Sequence, residues 1–142
     1  MRMSKRTRHI LGICAAVTLS IGSGAVLAKD LKIKLTGAEE TPPVTTSATG
    51  TGTITINDDK TVSGSVMTSG IEGIAAHIHQ GAVGQSGPPI ITLVKDDKGV
   101  WSVPAGSKLT DEQYAAYKAG NLYVNVHSAE HKPGEIRAQL KP

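Results

Sequence analysis

Apolar and polar positions alternate with period two along most of this chain, the pattern of β-strands that bury one face. Leu31-Lys32-Ile33-Lys34-Leu35 is the clearest instance, with lysines set between apolar residues. Residues 49–56 alternate with threonine and glycine, and residues 61–67 return after Asn57-Asp58-Asp59-Lys60, a turn sequence that predicts a hairpin. Residues 74–79, 90–94, 100–103, 121–127 and 135–140 add further short strands. Pro42-Pro43 interrupts the pattern because proline has no N–H to give to a ladder. Gln80 to Pro89, with its glycines and prolines, has no periodic apolar face and reads as a loop. Lys95-Asp96-Asp97-Lys98-Gly99 reads as a turn.

One segment breaks the period of two. Thr110 followed three residues later by Gln113 is a capping box, Asp111 and Glu112 place acids in the first helical turn, and Gly120 is positioned to end the helix. The expectation is an all-β fold, a Greek-key β-sandwich of about eight strands with one short helix. Tyr114 and Tyr117, at helical spacing, are expected to pack that helix onto the sandwich.

The first 28 residues change the picture of charge. Arg2, Lys5, Arg6 and Arg8 precede a mostly apolar stretch over residues 10–21, and Val26-Leu27-Ala28 offers small residues for cleavage before Lys29. Residues 1–28 therefore read as a secretory signal peptide, with a mature domain over residues 29–142 that is periplasmic or secreted. The apolar stretch is short for a membrane span and is broken by Ser20, Gly22, Ser23 and Gly24. A lipid anchor at Cys14 is disfavoured by the bulky Ile13 before it. The whole chain has 15 basic and 12 acidic residues, and four of the basic ones lie in the leader. The mature part thus holds 11 basic against 12 acidic residues, net −1, which gives no footprint for nucleic acid or an anionic membrane. It contains no cysteine and no phenylalanine, so its core is expected from valine, isoleucine, leucine and alanine.

Candidate chemistry is concentrated in two stretches. Ala76-His77-Ile78-His79 and Tyr123-Val124-Asn125-Val126-His127-Ser128-Ala129-Glu130-His131 hold every histidine outside the leader. On a strand, His77 and His79 point to one face. His127 from a later strand could join them, with His131 as a fourth ligand. Neutral imidazoles without thiolate suit copper or zinc. The alternative is that these are ordinary strand histidines hydrogen-bonded to neighbouring loops. Asn125 shares a face with Tyr123 and His127 and is a candidate to orient a histidine. Met67 is expected to pack in the core rather than bind reduced copper. Glu135 and Arg137 share a face, which suits an ion pair or a bond to the adjacent loop, and Glu39 and Glu40 read as a solvated loop.

These motifs resemble a known family. Ala76-His77-Ile78-His79-Gln80-Gly81, Gly87-Pro88, Gly120 through Ser128, and Gly134-Glu135-Ile136-Arg137-Ala138-Gln139-Leu140 are similar, in this order, to the CHRD domain. The family takes its name from repeats in chordin, an extracellular antagonist of bone morphogenetic proteins, and many bacterial members are single secreted domains. The resemblance covers essentially all of the mature chain. It implies a secreted β-sandwich and no settled activity. The copper/zinc superoxide dismutase sandwich, in which a His-x-His strand and a later histidine share copper, is an analogy, since fold does not fix function.

Three functions follow as expectations. The first is a metal-binding protein, for copper or else zinc, that buffers or delivers the ion. The second is an extracellular interaction module with structural histidines and an envelope or extracellular protein partner. The third is an enzyme of superoxide dismutase type, disfavoured because no cysteine pair and no aspartate of a zinc subsite is present. No nucleophile elbow or Cys–His pair points to hydrolysis.

Overall fold

The computed structural model describes residues 28–142, so the leader expected over residues 1–28, Cys14 included, lies outside the described residues except for Ala28. Nine strands follow the alternating segments: β1 (Ala28–Thr36), β2 (Thr49–Asn57), β3 (Val62–Ser69), β4 (Gly73–Gln80), β5 (Pro89–Thr92), β6 (Val94–Lys95), β7 (Val100–Ser102), β8 (Leu122–Ser128) and β9 (Ile136–Leu140). Helix α1 (Asp111–Lys118) precedes β8, and a single 3-10 turn, Gly37–Glu39, follows β1.

All strand pairs are antiparallel, in the order β5-β4-β8-β9-β1-β2-β3-β7-β6. The two ends of that order are consecutive in the chain. β5 pairs with β4, and after Leu93 the same segment pairs with β7 as β6. Leu93 is the pivot: its N–H still reaches Ala76 O (2.9 Å), and its side chain is buried. One short segment thus bridges both edges of the sheet, giving a nearly closed, barrel-like sandwich with little free edge. This split explains why the segment expected as one strand over residues 90–94 counts as two.

The enclosed face holds the core. Leu35, Ile54, Val66, Ile78, Val124, Val126, Ile136 and Leu140 are fully buried there. Fully burying a side chain of this kind contributes about 1.5–3 kcal/mol, which lets a domain without phenylalanine hold together on strand alternation. The β2–β3 hairpin has its expected turn, with Lys60 N–H bonded to Asn57 O (2.8 Å). The capping box is present as read from sequence: Gln113 N–H donates to Thr110 Oγ1 and Thr110 N–H to Gln113 Oε1. Tyr117 is buried in the core, and Tyr114 packs against it and donates to Asp58 Oδ1 (3.1 Å). Met67 corrects an expectation. It lies on the outer face of β3, 63% exposed, because its neighbours Val66 and Thr68 fix the parity of the strand. Among the described residues no helix is long and apolar enough to cross a membrane.

Candidate metal centre

Strands β4, β8 and β9 lie side by side, and their register assembles the site. His79 stands opposite Tyr123, which stands opposite Gln139; His77 stands opposite Asn125, which stands opposite Arg137. The residues between them, Ile78, Val124 and Ala138, point into the core. The outward face of these three strands is therefore a polar patch of His77, His79, Tyr123, Asn125, His127, Arg137 and Gln139. An outward face would ordinarily be solvated. Here every residue of β8 is buried, because loops fold back over it.

Arg137 and Gln139 hold the β4–β5 loop in place. Arg137 donates to Gln85 O (2.8 Å) and Ala82 O (2.9 Å), and Gln139 donates to Gly81 O and Gly120 O (both 2.8 Å). The loop in turn presents Gly87. Its N–H donates to the Tyr123 hydroxyl (3.1 Å), and its carbonyl accepts from His79 Nδ1 (2.8 Å). A side chain at Gly87 would collide with the Gln80 carbonyl, so only glycine lets the loop come this close. The Arg137 guanidinium lies 3.5 Å from the Tyr123 ring centre, and that ring stacks on His79 at 4.8 Å with planes 3° apart. Arg137, Tyr123 and His79 form one stack, which fixes the His79 ring plane. No ion pair joins Arg137 to Glu135. Arg137 binds the loop instead, and Glu135 accepts from Thr46 Oγ1 (2.7 Å).

Three imidazoles converge on this patch. The candidate ligating atoms of His77, His79 and His127 all lie within 4.8 Å of one another. His77 is half-buried and the other two are buried. Main-chain carbonyls set two tautomers. Gly87 O can only accept, so His79 carries its proton on Nδ1; Lys132 O, 2.7 Å from His127 Nδ1, imposes the same on His127. Both rings thus turn a bare Nε2 lone pair inward, the usual arrangement of a metal-ligating histidine. His77 Nδ1 and His127 Nε2 are 3.0 Å apart, close to the spacing of two imidazoles on one ion with bonds of about 2.0–2.1 Å. In the absence of an ion the same gap is spanned by a hydrogen bond from His77 Nδ1–H. His79 Nε2 is buried without a hydrogen-bond partner, which leaves it fit for an ion.

Burial pushes the His77 imidazole below its ordinary pKa, and the neighbouring His127 and His79 add to the shift. Burial also lowers His79, against the opposing effect of its bond to Gly87 O. Both shifts favour the neutral imidazole, the form that ligates.

The fourth expected ligand lies elsewhere. His131 sits on the β8–β9 loop and is not among the three converging histidines. It lines a separate cleft of about 480 Å³ with Thr41, Pro42, Pro43 and Glu130. Burial alone would raise the nearby Glu135 carboxyl, but hydrogen bonds from Ser128 and Thr46 and the proximity of His131 hold it below its ordinary value. Glu40 also departs from expectation. It is 6% exposed rather than solvated, and burial raises its carboxyl pKa against the Asn125 amide and the Arg137 charge.

The model of the CHRD domain matches residues 31–140, nearly the whole of the described chain. The chain belongs to the CHRD family. Neither a curated protein nor a solved structure matches it. In this CHRD domain the residues that sequence reading did not assign to the site are Tyr123, Gln139 and Gly87, while Arg137 makes the bond to the adjacent loop that was one of its two expected roles. Tyr123 shares its strand parity with His127, and Arg137 shares its parity with Gln139, so alternation alone grouped them. Only the register of β4, β8 and β9 put the groups on one patch.

Proposed function

We propose that this CHRD domain is a secreted or periplasmic metal-binding protein that takes one copper or zinc ion on His77, His79 and His127 and buffers or delivers it. The observation that carries this reading is the pair of inward Nε2 lone pairs on His79 and His127, each fixed by a main-chain carbonyl. When bound, the ion would be a borderline Lewis acid held by nitrogen donors. The chain's own residues contribute neutral imidazoles, a fixed ring plane at His79 and a loop cover that limits water. His77, half-buried, is the ligand nearest solvent and the natural point of entry.

The test is titration of the metal-free domain with Cu(II), Cu(I) and Zn(II), following affinity and melting temperature. One ion per chain should bind in the submicromolar range, and at about 100 times Kd it should stabilise the fold by roughly 2.7 kcal/mol. His77→Ala/His79→Ala should weaken binding by more than roughly a hundredfold, more than the loss of an outer-shell partner, and leave a folded domain.

A second reading has support in the family itself, since CHRD domains occur in extracellular proteins and serve as interaction modules. In that reading the His77–His127 hydrogen bond is structural. Absence of stoichiometric binding by the parent domain would favour it over the metal reading.

A further inference from the structure

Among the described residues, four buried side-chain polar atoms lack a hydrogen-bond partner: Glu40 Oε1, His79 Nε2, Asn125 Oδ1 and Trp101 Nε1. Three of the four meet around Asn125. Its amide is close enough to influence both the His79 imidazole and the Glu40 carboxyl. By register Asn125 is directly opposite His77, and it shares its strand face with His127 two residues on. It therefore stands within the footprint of the three histidines and is 1% exposed.

The orientation of this amide follows from its neighbours. Nδ2 donates to Pro133 O (3.3 Å), and the Glu40 carboxyl lies alongside it. Pro133 O can only accept, so the NH2 end faces it and Oδ1 faces away. Gly134 keeps this arrangement tight, since a Cβ there would collide with both Glu40 Oε1 and Asn125 Nδ2. His79 has its proton committed to Gly87 O. Asn125 Oδ1 and His79 Nε2 are thus both buried without a hydrogen-bond partner, and the Asn125 side chain is close enough to act on the His79 ring. An unsatisfied buried group costs about 1–3 kcal/mol, so two on one patch suit a shared electrophile.

We propose that Asn125 Oδ1 is the oxygen donor that completes the three-histidine site, with Pro133 O holding its amide in the ligating orientation. The inference rests on the metal-binding reading above. It also narrows the ion. A carboxamide oxygen is a hard donor and suits a divalent cation such as Cu(II) or Zn(II), whereas Cu(I) prefers soft ligands and is satisfied by imidazoles alone.

The experiment is titration of the metal-free parent domain, Asn125→Leu and Asn125→Asp with Cu(II) and Cu(I), with electron paramagnetic resonance of the Cu(II) forms. Circular dichroism of each metal-free protein establishes its fold. Asn125→Leu should lose roughly tenfold to a hundredfold in Cu(II) affinity and change the Cu(II) spectrum, while its Cu(I) affinity stays within roughly threefold of the parent. Asn125→Asp should keep tight Cu(II) binding with a shifted spectrum, because a carboxylate replaces an amide oxygen on the ion. A folded Asn125→Leu with the parent's Cu(II) affinity and spectrum overturns the assignment. Should Asn125→Leu fail to fold, an unchanged spectrum in Asn125→Asp overturns it equally. If the parent binds neither form of copper, nor Zn(II) in the titration above, the metal-binding reading falls, and the oxygen donor with it.

Discussion

The two faces of the β4–β8–β9 patch are both largely buried, and by different means. On the inner face Ile78, Val124, Val126 and Ile136 are closed off by the rest of the barrel and interact through packing. On the outer face His79, Asn125, His127 and Arg137 are closed off by loops, and each makes a hydrogen bond to a main-chain carbonyl. Packing is non-directional and tolerates small shifts. Hydrogen bonds to fixed carbonyls set ring tautomers and planes, and that is what a ligand site needs. The comparison teaches that burial on the outer face serves to orient groups, while burial on the inner face serves to stabilise.

The largest way to break this division is to damage each face in turn. Ile78→Ala should cost about 2–5 kcal/mol by urea denaturation, the usual range for emptying a well-packed core position, and should leave metal affinity of the folded fraction close to that of the parent. Arg137→Met should cost about 1.5–3 kcal/mol, the worth of a hydrogen bond to a charged group, or more, because two loop carbonyls lose their donor. Unlike Ile78→Ala it should also weaken metal binding by roughly tenfold to a hundredfold, since the stack that orients His79 is lost. Equal effects of the two variants on metal affinity would erase the distinction between the faces.

Acid sharpens the comparison more gently. His77 and His79 have folded pKa values depressed below about 6.5, so the unfolded chain binds more protons than the folded one at mildly acidic pH. The stability they contribute is complete above pH 6.5 and is lost as the pH falls through the depressed values. The metal-free domain should therefore lose melting temperature below about pH 6.5, and His77→Ala/His79→Ala should flatten that loss. Glu40 has the opposite sign. Its raised carboxyl pKa makes the ionised form unfavourable in the fold, so Glu40→Gln should not lower the melting temperature of the metal-free domain at neutral pH. Smallest of all, Met67→Gln should change stability by less than about 0.5 kcal/mol, because the side chain is exposed and touches neither face of the patch.

Much of this molecule was legible in advance. Alternation located the strands to within a few residues, with β5 and β6 merged into one, the capping box located α1, and the His-x-His parity put His77 and His79 on one face. Each of these is a local property, set by backbone geometry and by neighbours close in sequence. The errors came where distant segments meet. Met67 was expected inside, but in a short strand with apolar Val66 beside it, parity between the two is decided by the sheet that covers them. Glu40 was expected in solvent, and His131 was expected beside His127, because their fates depend on how the β1–β2 and β8–β9 loops fold over the sheet.

The sequence by itself determined an all-β domain of the CHRD family with two histidine stretches, because strand period, turn residues and motif order are written in consecutive residues. Only the tertiary structure decided which histidines converge, which carbonyls fix their tautomers and which buried amide stands among them. Those outcomes depend on the register of β4 against β8 and β9 and on loop closure. A one-residue slip would turn every one of these side chains to the other face.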